Sequence, residues 1–193
     1  MPHPRTPWSG VAFVGVYWNC EERVEKLLTY VRPYFKYLCV AVQKSDDNTL
    51  EVCKRLADIV IEEPWHGRGD PSFQRVLDKI GTPWSFVVSD DEWPSPDLLD
   101  SFQDLADRLH VEEKDGAWFH FTSTIDGFDF TREGDSHLRF FRSNLKWPST
   151  PHARVMTDNT IHWPVGSIAH DRSLDEMMED YVRRYDLTAE NPR

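Results

Sequence analysis

Four short apolar runs, each followed by a polar turn, constrain this chain more than any other feature. "GVAFVGVYWN" (residues 10–19) is brief, apolar and rich in valine, as a strand buried on both faces must be. "CEERVEKLLTYVRPYF" then places Val24, Leu27, Leu28 and Val31 at helical spacing. Asn19 is positioned to cap that helix, and Glu21 and Glu22 in its first turn favour the positive end of its dipole. The pattern repeats with "YLCVAVQ" as a second strand, the turn "KSDDNT" and the amphipathic helix "TLEVCKRLA". "DIVIEEP" is a third strand, "WHGRGDPS" a loop, "FQRVLDKI" a helix stopped by Gly81, and "WSFVVS" a fourth strand. Strands alternating with helices pair in parallel through right-handed crossovers, which predicts a layered, mostly parallel α/β sheet with helices on both faces. The 193 residues fit one domain, with residues 1–10 as an N-terminal extension and a closing helix over 172–187.

Composition excludes several functions. A formal charge of −11 disfavours a broad electrostatic grip on nucleic acid or anionic lipid, both of which reward a basic excess. Cys20, Cys39 and Cys53 are odd in number and lack CxxC spacing, which fits reduced core thiols in a cytosolic protein. No run of roughly 18 apolar residues offers a transmembrane segment, and "MPHPRTPWSG" has no signal-peptide core. The expectation is a soluble, cytoplasmic protein.

The chemistry concentrates in "WSFVVSDDEWPSPDLLDSF", where a buried strand ends in Asp90, Asp91 and Glu92. Adjacent carboxylates repel unless solvent or a cation screens them. Ligands of open α/β sheets bind at the carboxyl ends of the strands. That rule gathers Tyr17 to Asn19, Ser45 to Asp47, His66 to Asp70 and Ser89 to Glu92 in one place. In the glycine loop, Gly67 and Gly69 permit close backbone approach, and Arg68 can pair with a diphosphate. Trp18, Trp65, Trp93 and Trp147 fall in predicted loops, where an indole can stack on a sugar or a base.

"FVGVYWNCEERVEKLL", "VAVQKSDDNTLEVCKRLADIVIE" and "FVVSDDEWPSPDLL", in that order, resemble the successive elements of a family 2 glycosyltransferase with the GT-A fold. "DSHLRFFRSNLKWPSTPHARV" is similar to that family's Arg-x-Phe-Arg segment and later histidine, and "IAHDRSLDEMMEDYVRRYDL" to its closing histidine and helix. The resemblance covers residues 11 to 187. It implies a metal-dependent, inverting, hexosyl-type transferase that moves a sugar from a nucleotide-diphosphate donor to an acceptor hydroxyl with Mn²⁺ or Mg²⁺ as cofactor. By the same resemblance Asp91 is the direct metal ligand, Asp90 its support on the nucleotide-sugar side, and His170 a second ligand. Ser89 stands where the family has its first Asp, and Gln43 where the family reads the base with a carboxylate. Gln43 can bond a base edge through its amide but does not reproduce a carboxylate. Asp47 matches the family's turn Asp, for which bonding its own loop and contacting ligand are equally open. Tyr17, Asn19 and Asp70 complete the expected donor contacts.

An inverting displacement also needs a carboxylate to take the acceptor proton. "STIDGFDFTREGDSH" offers Asp126, Asp129, Glu133 and Asp135, of which Asp126 and Asp135 are selected. The expected partners are a nucleotide-sugar donor and an acceptor that is a glycan, a protein, a small molecule or a modified nucleic-acid base. Two other readings stay open: a sugar-nucleotide-binding protein without turnover, and a nucleotidyltransferase, although "VYWNCEE" lacks the glycines and base of a triphosphate loop.

Overall fold

The computed structural model describes residues 7–66, 70–148, 154–175 and 177–178. Four strands, β1 (Trp8–Tyr17), β2 (Phe35–Gln43), β3 (Ile59–Glu63) and β4 (Trp84–Val87), lie parallel in the order β3-β2-β1-β4. Helices α1 (Glu21–Val31), α2 (Thr49–Leu56) and α3 (Asp70–Leu77) connect them, so the alternation read from the sequence is the architecture. Within the segment expected as an N-terminal extension, residues 8–10 lie in β1. Trp8 already belongs to β1, where its backbone N–H donates to Tyr34 O at 2.7 Å and its indole to Leu99 O at 3.1 Å.

The second half adds β5 (Glu92–Pro94), α4 (Pro96–Asp100), α5 (Phe102–Val111), β6 (Gly116–Ile125), β7 (Phe128–Asp129), β8 (Ser136–Arg142), β9 (Thr160–His162) and β10 (Ile168–Arg172). The sheet continues from β4 through β8, β6 and β10 to β5, with β7 and β9 also paired to β6. β8 is antiparallel to both β4 and β6, while β10 is parallel to β6 and antiparallel to β5. β5 follows β4 closely in sequence yet closes the far end of this order. The sheet therefore curls back on itself, and the curl brings β8 and β10 to the tip of β4.

Burial on both faces explains why β1 is apolar throughout. Val11 and Phe13 join one core with Val24, Leu27, Leu28, Leu98 and Phe102, whereas Ala12 and Val14 join another with Phe73, Val76 and Leu77. Helices thus cover both faces, α1 and α5 on one and α3 on the other. Phe13, Phe35, Phe86, Phe102, Phe119 and Phe140 form the centre of the first core, with ring contacts such as Phe35–Phe86 at 6.0 Å and Phe86–Phe102 at 4.8 Å. Burying each such ring stabilises the fold by about 1.5–3 kcal/mol.

The entry to β10 is fixed by a small polar knot. Ser95 caps α4, accepting from Leu98 N at 3.3 Å, and its Oγ also accepts from Ser167 N at 3.1 Å while Ser95 N donates to Ser167 O at 2.9 Å. This close approach requires Gly166, which has φ +70° and sits where any Cβ would overlap Leu98 and Ser95. The Gly166→Ala variant is expected to lose about 1–3 kcal/mol through backbone strain and displacement of this knot. Urea unfolding checks it: the midpoint falls while the slope stays unchanged.

Candidate functional site

Three acids and three arginines meet at the tip of β4. The chain leaves β4 with Val88 N bonded to Val14 O at 3.0 Å, turns through Ser89 to Asp91, and enters β5 at Glu92. Arg23 of α1 holds Asp90, with Nη2 2.8 Å from Oδ2. Arg172 of β10 holds Asp91, with Nε 3.3 Å from Oδ2. Arg139 of β8 pairs with Glu92, whose other carboxylate oxygen accepts from Ser89 N at 2.9 Å. His170 Nε2 lies 3.1 Å from the same Asp91 oxygen that Arg172 approaches. Strand registry places it there. His170 is opposite Glu92 across the β5–β10 pair, and His170 and Arg172, two residues apart, share a face.

This arrangement drives Asp90 and Asp91 apart electrostatically. Burial, with the neighbouring Asp91 charge, pushes Asp90 up to about 6 despite Arg23. Burial also opposes ionisation of Asp91, but the hydrogen bond and charge of His170, with Arg172 and Arg23, outweigh it and hold Asp91 below its usual range. His170 moves the other way, raised chiefly by its hydrogen bond to Asp91. Among the described residues, no three His, Cys, Asp or Glu side chains cluster as a metal cage. Asp91 and His170 are two potential donors, 3.1 Å apart.

The turns after β1 and β2 are tied to one another. Asn19, at φ 45°, accepts from Asp46 N at 2.8 Å through Oδ1, and its own N–H donates to Ser45 Oγ at 3.1 Å. It therefore does not cap α1 as expected. That role falls to Asp47, which accepts from Glu21 N at 3.0 Å with one oxygen and from Thr49 N and Thr49 Oγ1 at 3.0 and 2.6 Å with the other. Thr49 Oγ1 in turn accepts from Cys20 N at 2.9 Å. Of the two roles open to Asp47, the structure displays the loop-bonding one.

Two other expected donor contacts lie beneath the surface. Tyr17 is buried at 1% exposure, its hydroxyl folded back over Gly15 and without a hydrogen-bond partner among the described residues. Gln43 is equally buried, and its amide donates to Ser72 Oγ at 3.1 Å. Both side chains are thus turned into the interior, beneath the surface where the sequence placed them. Arg68 and the side chain of Asp70 lie outside the described residues, as do His152 and the helix predicted beyond residue 178. β10 runs to Arg172, so residue 172, expected to open a helix, lies in a strand.

The acceptor-side acids separate. Asp126 and Gly127, at φ 49° and 79°, form the two-residue turn of the β6–β7 hairpin, and Asp126 Oδ2 accepts from Leu174 N at 3.2 Å. Its carboxylate is exposed and engaged at a hairpin tip, a signal present in "IDGF". Asp135 instead lies beside His137, with Oδ1 3.2 Å from His137 Nε2. Trp18 and Trp65 stack at 4.1 Å across the end of β2, whereas Trp147, expected in a loop, is buried against Phe73 at 4.5 Å. Glu63, at the end of β3, is buried between Arg75 and His66 at 2.8 and 3.1 Å. Sequence reasoning passed over Arg23, Arg139, Arg172 and Glu63. "RFFR" and "HDR" held a signal, because a buried acidic cluster requires cations nearby.

No protein-family model matches the chain, and no curated protein matches it by sequence. Its structure is similar to that of S. aureus TarS, with a TM-score of 0.59 and 11% identity over 95% of this chain and 41% of that one. S. aureus TarS 1–349 in complex with UDP gives a TM-score of 0.59 at 11% identity, covering 95% of this chain and 67% of that one. The chain has a GT-A-like glycosyltransferase fold and spans about two fifths of the length of TarS. No helix among the described residues is long and apolar enough to cross a membrane.

Asp47 generates a pH-dependent expectation. Burial opposes its ionisation, but bonds from Thr49 and Glu21 outweigh this and lower its pKa. A carboxylate lowered in the folded state contributes stability above its unfolded pKa and loses it as pH falls through the folded value. Asp47→Ala should cost about 1 kcal/mol at neutral pH, as loss of a helix cap does. Thermal unfolding across an acid series should show the gap to wild type narrowing as pH falls.

Proposed function

We propose that this chain is a nucleotide-sugar-dependent glycosyltransferase that moves a hexosyl group, with inversion, from a nucleoside-diphosphate donor to an acceptor hydroxyl. One observation carries the reading: Asp91, His170 and Arg172 converge at the carboxyl ends of the parallel strands of a GT-A-like fold. Mn²⁺ or Mg²⁺ fits these residues. Asp91 Oδ2 and His170 Nε2 are 3.1 Å apart, close to the ~3 Å between adjacent ligands of a cation bound at about 2.1 Å. Neutral His170 and ionised Asp91 would hold it, and a bound cation supplies charge stabilisation for the departing diphosphate. Arg172 adds a second cationic group for the phosphate oxygens. Asn19, Arg68, Asp70 and Asp90 belong to the donor side of this reading, supported from beneath by Tyr17, Gln43 and Asp47. UDP, present in the TarS 1–349 complex, is the first nucleotide to test.

Binding of sugar nucleotide without turnover is the second reading. The arginine paired with each acid favours it, because those contacts satisfy the carboxylates without a ligand. Release of free sugar from UDP-hexoses in the presence of Mn²⁺ supports the enzyme reading, and binding without release supports the alternative.

Calorimetry with UDP tests the cation assignment. Mn²⁺ should strengthen UDP binding to the wild type, and Asp91→Ala should abolish the enhancement. His170→Ala should weaken metal-dependent binding by about 1–3 kcal/mol, the scale of one charge-assisted contact. An Asp91→Ala protein with full metal enhancement would falsify the assignment of Asp91 as a ligand.

A further inference from the structure

Near the acid cluster, the half-exposed imidazole of His137 is backed by a carboxylate. β8 pairs with β4 as far as Phe140 opposite Phe86, so the residues of β8 before Leu138 run past the tip of β4. His137 pairs with Phe119 on β6, and Phe121, on the same face, pairs with Ile168 on β10. Ile168 and His170 also share a face, because side chains alternate along a strand. His137 and His170 therefore project from the same side of the curled sheet. Phe121 packs against the imidazole, with ring centroids 4.2 Å apart. Asp135 Oδ1 lies 3.2 Å from Nε2, while half of the His137 side chain remains open to solvent.

We propose that His137 is the base that takes the acceptor proton, with Asp135 positioning it rather than acting as the base itself. This rests on the glycosyl-transfer reading above. Nε2–H donates to Asp135, which fixes the tautomer and leaves the Nδ1 lone pair to receive a proton. As the acceptor oxygen bonds to the anomeric carbon, the bond from that carbon to the diphosphate oxygen breaks and its electron pair leaves with the diphosphate. The acceptor proton moves to Nδ1 and is later lost to solvent. The surroundings keep the ring competent. Partial burial and Arg139 lower the pKa of His137, against the opposing pull of Asp135 and Glu92, so the neutral form prevails near pH 7.

The test is hydrolysis of UDP-hexoses by the full chain with Mn²⁺, in which water serves as acceptor, followed across a pH series. His137→Ala and His137→Gln should lower turnover about 10²- to 10⁴-fold, the usual contribution of a general base, while calorimetric UDP affinity stays at the wild-type value. Asp135→Asn removes an influence that raises the His137 pKa, so the acid limb of the rate profile should move to lower pH. A structural role for Asp135 would not move that limb. His137→Gln turning over at the wild-type rate overturns the proposal, and so does an acid limb unmoved in Asp135→Asn. A wild type that binds UDP but hydrolyses no UDP-hexose overturns the base while leaving the donor site in place. One that binds no UDP overturns the donor reading itself.

Discussion

Everything at the working end of this protein depends on charge compensation between Asp90, Asp91 and Glu92 and arginines from three separate elements. Three adjacent carboxylates at a strand tip repel, and burial amplifies the repulsion by lowering the local dielectric. Arg23 reaches them from α1, Arg139 from β8 and Arg172 from β10. Each ion pair therefore also ties a distant part of the chain to the tip of β4. Glu92 is the most deeply placed, at 4% exposure, and its carboxylate, accepting from Ser89 N, shapes the turn that presents the other two. The same contacts that make the turn possible position Asp91 beside His170.

The first half of the fold was legible because one physical rule governs it. Strands buried on both faces must be apolar, helices covering them must be amphipathic, and β1 to β4 with α1 to α3 obey both conditions. The second half was less legible. The pairing of β10 with β5 and β6 joins residues some eighty and fifty positions apart, and no local periodicity encodes such registry. Asp91 and His170, far apart in sequence, lie 3.1 Å apart in the fold. Tyr17 and Gln43 did not emerge as surface contacts, because position at a strand end does not reveal which way a side chain turns. Asp47 illustrates a further limit: its partner Glu21 N lies 26 residues away, so its capping role exists only after the two turns meet.

The β6–β7 hairpin teaches a similar lesson on a shorter scale. Asp-Gly between β-favouring residues is a strong hairpin signal, yet Asp126 was first read for its charge alone. The backbone conformation explains the residue more simply than catalysis does. Asp135, in the same acidic stretch, gains meaning only from a neighbour two positions on, where strand geometry brings His137 alongside.

The curl that brings β10 to β5 also has a consequence for synthesis. Asp90, Asp91 and Glu92 emerge from the ribosome well before Arg139, and Arg139 well before His170 and Arg172. Until β8 arrives, the acidic turn lacks two of its three arginines, and until β10 arrives it still lacks Arg172 and the sheet lacks the strand between β6 and β5. A nascent chain can thus settle its parallel core early while its polar centre stays unfinished. Closure by β10 is what completes the charge compensation of the acidic turn.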